Sequence, residues 1–148
     1  MLKGRTALVT GSTRGIGEAT ARALAAQGCN VMMNGFGDPA EIESKRAQIE
    51  TDTGATVRFH GADLSDEKQL DDLVDSAESA FGGVDILVNN AVIRYFHTVD
   101  DFDRDNWRHA LSVNITAPFF LMQRVLPGMR RRGWGRMVNM ASVLGMAA

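Results

Sequence analysis

The chain has 148 residues, of which 45% are hydrophobic and 23% charged, with a formal net charge of −2. That length suits one domain, and the composition excludes a disordered chain. The near-neutral charge gives no electrostatic case for nucleic acid or a membrane surface as partner.

Residues 6–9, "TALV", are a short apolar run ending in a glycine-rich turn, and read as a first strand. Ile16, Ala19, Ala23, Leu24 and Gln27 then recur at helical spacing, and Gly28 closes that helix. Residues 30–33, "NVMM", are a second strand. Asp38 followed by Pro39 reads as an N-cap with proline at N1, opening a helix that runs to about Thr53. Residues 56–59 form a third strand. Leu70, Leu73, Val74, Ala77 and Phe81 mark a third helix stopped at Gly82 and Gly83, with Ser65 placed as its cap. Residues 86–88 are a fourth strand, and a long helical stretch covers residues 103–132. The cluster Arg130-Arg131-Arg132 reads as a solvated helix end that complements the dipole. Residues 137–140, "MVNM", read as a fifth, buried strand with Ser142 just beyond it.

Strands and helices alternate throughout, and the strands are continuous apolar runs, as when helices cover both faces of a parallel sheet. The fold class is therefore α/β, a doubly wound parallel sheet of Rossmann type with strand order 3-2-1-4-5. The dinucleotide-binding form of that sheet has six strands. This chain supplies five, so residues 1–148 read as one binding domain that is C-terminally incomplete.

A lone cysteine, Cys29, leaves no intramolecular disulfide or zinc cluster and fits a reducing, cytoplasmic setting. His60, His97 and His109 lack ligand spacing, so no metal is expected. The opening residues have no signal-peptide pattern, and no apolar run approaches the roughly 18 residues of a spanning helix, so no membrane is expected.

"TGSTRGIG", residues 10–17, lies between the first strand and the first helix. Gly11, Gly15 and Gly17 permit a tight turn and let backbone approach a pyrophosphate at a helix N-terminus. Trp107, Ala110, Leu111 and Asn114 share one helical face, which puts an amide on an apolar stripe where it costs stability. Pro118 has no N–H for the Asn114 carbonyl, so a kinked helix with a free carbonyl, suited to holding a water, is expected there. Ser142 sits at the C-terminal end of a parallel strand, where open α/β sheets bind ligands.

The spacing G-x-x-x-G-x-G, "NNA" at residues 89–91, Asp63, Asn114 and Ser142, in that order, resemble the short-chain dehydrogenase/reductase family. The resemblance covers the whole chain. It implies an NAD(P)-dependent oxidoreductase acting on an alcohol or carbonyl, a small-molecule substrate and a homo-oligomeric assembly. Within the family, the opening residues, "NGFGDPAEIE" and "GADLSD" are similar to the bacterial D-3-hydroxybutyrate dehydrogenases, which implies a 3-hydroxy acid as substrate. Other substrates, such as 3-oxoacyl thioesters or polyols, stay open, because Arg94 and Leu144 stand where those enzymes carry glutamine and histidine, and Val92 replaces the glycine of "NNAG".

The resemblance also assigns roles. Gly11, Thr13, Arg14, Gly15, Ile16, Gly17 and Phe36 would surround the dinucleotide. Asp63 would accept from the adenine amino group beside the Leu64 backbone, and Asn90 and Ala91 would line a ribose. Asn114 would anchor a proton-relay water, Ser142 would hydrogen-bond the substrate oxygen, and Arg94 would clamp a substrate carboxylate. The implied cofactor is NAD, because the second strand ends in Asn34-Gly35-Phe36-Gly37 with no cation for a 2′-phosphate. Arg14 argues for NADP, and Asp38 has the spacing of a ribose-binding acid but reads better as a helix cap.

Family chemistry needs a Tyr-x-x-x-Lys motif shortly after the serine. The single tyrosine here, Tyr95, is followed at that spacing by Val99, so the chain reads as an N-terminal cofactor half, inactive by itself. The alternative is a nucleotide-binding module without catalysis. Leu121, Met122, Val125 and Met129 read as an apolar stripe awaiting a further helix or subunit, which predicts a molten or aggregating chain.

Overall fold

The structure, a computed structural model, describes residues 2–142. Its elements in order are β1 (Thr6–Val9), α1 (Gly15–Ala26), β2 (Asn30–Asn34), α2 (Pro39–Thr53), β3 (Val57–His60) and α3 (Glu67–Phe81). Then come β4 (Ile86–Asn89), α4 (Arg104–Leu111), a π-helical turn (Ser112–Thr116), α5 (Ala117–Arg131) and β5 (Arg136–Asn139). The five strands form one parallel sheet in the order β3-β2-β1-β4-β5, as expected.

The period-two alternation of a strand explains why its apolar runs are unbroken. Leu8, Met32 and Leu87 point to one face and pack with Leu73, Val74, Leu121, Val125 and Met129 from α3 and α5. Ala7, Val9, Val31, Met33 and Val88 point to the other face and meet Ala21, Ala25 and Ile49 from α1 and α2. Every strand residue of β1 is therefore buried, on one side or the other.

The helix ends follow local chemistry. Asp38 caps α2, accepting from the N–H groups of Ala40 (2.9 Å) and Glu41 (3.1 Å), with Pro39 at N1. Gly54 and Gly82 end α2 and α3 at φ of 69° and 82°, a region open to glycine. The cap of α3 is Asp66, which accepts from Lys68 N–H (3.0 Å), and not Ser65. Ser65 instead donates its hydroxyl to Asp63 (2.8 Å).

Three expectations need refinement. The helical stretch expected over 103–132 is present from 104 to 131, but it contains a π turn, with Ala117 N–H bonded to the Ser112 carbonyl. Pro118 cannot donate to Asn114, and the helix accommodates this by i→i−5 bonding. Of the stripe Leu121, Met122, Val125 and Met129, the first, third and fourth are at most 4% exposed against α3 and the sheet, and Met122 is half-buried against the same core, so the stripe is largely filled within the domain. Trp107, Leu111, Ile115 and Phe119 are the exposed apolar face, at 40–63%. Finally, Arg130, Arg131 and Arg132 are exposed at the end of α5, as expected, but Arg132 does more than complement the dipole. Its guanidinium donates to Asp85 (3.0 Å) and to the Val84 carbonyl (2.5 Å). Asp85 also accepts from Thr6 N–H (3.1 Å), so one buried carboxylate ties β1, β4 and the end of α5 together. Strand β5 lies beside β4 alone and is mostly exposed, because it forms the sheet edge.

Candidate functional site

A cleft of about 480 Å³ opens at the carboxyl ends of β1, β2, β3 and β4. This is where a doubly wound sheet reverses its winding and binds ligands. One wall is the glycine loop. Gly11 and Gly15 have φ of 61° and 58°, which only glycine adopts without strain. Gly17 is needed for close approach, since a Cβ there would lie 2.2 Å from the Gly11 carbonyl oxygen and 2.5 Å from Asn90 Nδ2. A Cβ on Gly11 would lie 2.8 Å from Ala91 Cα. The glycines thus let the loop after β1 and the loop after β4 interlock.

Hydrogen bonds complete that junction. Thr10 Oγ1 accepts from the N–H groups of Asn90 (3.0 Å) and Ala91 (3.1 Å). Asn90 Nδ2 donates to the Thr10 and Gly11 carbonyls, each at 3.0 Å. Behind the loop, Thr13 Oγ1 donates to the Phe36 carbonyl (2.8 Å), and Lys45 Nζ donates to the Thr13 carbonyl (2.8 Å). These side chains are spent on backbone. The N-terminus of α1 has no such service, since Arg14 at its N-cap makes no side-chain capping bond. By contrast α2, α3 and α4 are capped by Asp38, Asp66 and Asp103. A helix N-terminus with free N–H groups at a cleft, beside an exposed arginine, suits an anion.

The cleft brings together Gly11, Thr13, Arg14, Ile16 and Gly17 with Phe36, Asp63, Leu64, Asn90 and Ala91. Asp63 spends one carboxylate oxygen on Ser65, through its N–H (2.9 Å) and hydroxyl (2.8 Å). Gly15 lies outside the lining, with nothing within 4 Å of a Cβ built on it.

Asn114 is placed differently from its expectation. Its neighbours Trp107 and Leu111 are 55% and 40% exposed, so the amide is not stranded in an apolar core. It pairs with the loop after β4, accepting from Ile93 N–H and donating to the Ile93 carbonyl, both at 2.9 Å. Ser142 is exposed beyond β5 and outside the cleft lining, and Arg94 is also exposed and outside it. Leu144 and the rest of 143–148 lie outside the described residues.

Several contributors were not singled out beforehand. Thr10 opens the glycine loop, yet its hydroxyl's hold on Asn90 and Ala91 had no signal in the sequence. Asn34 Nδ2 donates to the His60 (3.1 Å) and Ala62 (3.0 Å) carbonyls, joining β2 to the loop after β3. His109 and Val113 line the cleft from α4 and the π turn, a contribution with no motif to announce it.

Fold and cleft together define a doubly wound α/β domain of Rossmann type with a cleft at the switch point of its sheet. Within that class, the family model described as short chain dehydrogenase matches residues 5–148, and the chain belongs to that family. It is 46% identical over 148 residues to a D-beta-hydroxybutyrate dehydrogenase of Cupriavidus necator, covering 100% of this chain and 57% of that protein. To a D-beta-hydroxybutyrate dehydrogenase of Rhizobium meliloti it is 39% identical, covering 97% of this chain and 56% of that one. The chain thus spans little more than half the length of these relatives. Among solved structures, the L-sorbose reductase of Gluconobacter frateurii, complexed with NADPH and L-sorbose, superposes with a TM-score of 0.90 at 30% identity. That match covers 95% of this chain and 53% of the other. Among the described residues, no helix is long and apolar enough to cross a membrane.

Proposed function

We propose that this chain is the dinucleotide-binding part of an oxidoreductase that moves hydride between a nicotinamide cofactor and a hydroxy or keto substrate. The observation that carries the reading is the uncapped N-terminus of α1 set in an interlocked glycine cradle at the sheet's switch point. The residues fit the group. The α1 N-terminus and Arg14 would take the pyrophosphate, Phe36, Asp63 and the Leu64 backbone the adenosine, and Asn90 and Ala91 a ribose. The dinucleotide, when bound, gives or takes the hydride. The protein's own work is to bind and orient it. Asn114 holds the Ile93 backbone beside it, Ser142 would donate to the substrate oxygen, and Arg94 would pair with a substrate carboxylate. The relatives named for D-beta-hydroxybutyrate support a 3-hydroxy acid.

NAD is the preferred cofactor in this reading, because Gly35, Phe36 and Gly37 after β2 present no cation. Titration calorimetry with NAD and NADP tests both points. NAD should bind more tightly. Tighter NADP binding that falls in Arg14→Ser would reverse the cofactor choice, and absence of binding by either would remove the proposal. The 148-residue chain should show no turnover, since its one tyrosine lacks the lysine at the family spacing.

A further inference from the structure

Beyond β4 the cleft wall is irregular chain. Among the described residues, 90–97 make no backbone-to-backbone hydrogen bond. The wall is held by side chains instead. Thr10 takes the N–H groups of Asn90 and Ala91, and Asn114 clasps Ile93. At the outer end the Tyr95 hydroxyl lies 2.8 Å from His109 Nδ1, joining the loop to α4. His109 itself lines the cleft. The Tyr95 ring is braced edge-on by Phe102 at 6.4 Å, and Phe102 in turn by Trp107 at 5.8 Å. The Tyr95 hydroxyl can donate to Nδ1 or accept from it, and the tautomer of the His109 ring sets which.

We propose that Tyr95 and His109 are a positioning pair that fixes the outer cleft wall and thereby sets dinucleotide affinity. The inference rests on the cleft being a dinucleotide site. A loop with no backbone ladder loses its geometry when a side-chain tie is cut, and the ordering cost then falls on the ligand. Thr10 and Asn114 act on Asn90 to Ile93, and nothing else in the described hydrogen bonds ties the Tyr95 side chain.

The test uses the 148-residue chain, NAD as probe, calorimetry for affinity and thermal melting for the fold. Tyr95→Phe and His109→Ala should each weaken NAD binding about 3- to 10-fold, the size of one neutral hydrogen bond. The double variant should be no weaker than either single one, because the pair acts as a unit. His109→Asn, which keeps an acceptor near the Nδ1 position, should restore most of the affinity lost in His109→Ala. In ¹⁵N spectra of the imidazole, Tyr95→Phe should shift the tautomer balance of His109, because the ring loses its hydroxyl partner. Unchanged affinity in Tyr95→Phe, or equal loss in His109→Asn and His109→Ala, would overturn the pair's role. Failure of the unmodified chain to bind NAD or NADP would instead remove the functional reading beneath it.

Discussion

Gly17 shows how much of the site could be read at the level of single residues. Its place in G-x-x-x-G-x-G was visible in the sequence, but the reason it must be glycine is spatial: a Cβ would enter the space of the nearby Gly11 oxygen and of Asn90 Nδ2 from the distant loop after β4. Backbone cannot retreat as a flexible side chain can. Gly17→Ala should therefore lower the melting temperature by more than about 10 °C and abolish dinucleotide binding by parting the two loops. Gly15→Ala should cost only about 1–2 kcal/mol, the αL penalty, because nothing stands near that Cβ. Comparable melting of the two variants would contradict this distinction. Asn114 teaches the opposite lesson. Its position was singled out, yet for a burial argument that does not hold, and its real work is a paired bond to Ile93. Asn114→Ala leaves a backbone N–H and a carbonyl without that partner, and should destabilise by about 1–3 kcal/mol in urea unfolding. No signal in a linear sequence connects the two.

Elements were the most legible level, because caps and periodicity are local. The α2 boundaries match expectation at both ends, set by Asp38, Pro39 and Gly54. What periodicity missed was the π turn, since the proline that causes it also fits an ordinary kink, and the face of α5, since Leu121, Val125 and Met129 fit a partner inside or outside the domain equally well. Helix α2 buries only Ile42 and Ile49, and leans on charge to hold its place. Glu50 accepts from Val57 N–H (2.8 Å) and pairs with Arg46 (2.6 Å), while Arg46 also bonds Glu43 and the Val57 carbonyl. The Val57 N–H, then Arg46, hold the Glu50 carboxyl below its ordinary value. A carboxyl with a lowered folded pKa adds stability above its unfolded pKa and loses it as pH falls through the folded one. Stability should thus decline as pH drops below about 4.5, and Glu50→Gln should be weaker at neutral pH with a shallower acid decline in urea midpoints. Equal slopes for both proteins would show that Glu50 contributes nothing to it.

At the scale of the whole molecule, the sheet order was legible because parallel strands with helical crossovers leave few topologies. What was not legible is which apolar surface remains uncovered. The structure keeps two filled cores on either side of the sheet, so the chain should melt cooperatively and not behave as a molten state. One uncovered apolar surface on a helix is the row Trp107, Leu111, Ile115 and Phe119, four residues apart along α4, the π turn and α5. Side chains at that spacing lie on one helical face, and a continuous exposed apolar row of this kind favours association. The sheet edge adds Val138 in β5 and Met140 just beyond it, exposed at 44% and 46%. The 148-residue chain should accordingly elute as a concentration-dependent mixture of monomer and larger species, bind ANS, and still give one sharp thermal transition. Burying Trp107 or Phe119 in such a contact is worth about 1.5–3 kcal/mol each, so Trp107→Glu with Phe119→Glu should return it to monomer while leaving the melt nearly unchanged. If the doubly substituted chain still associates, the row is not the surface responsible, and β5 becomes the site to block.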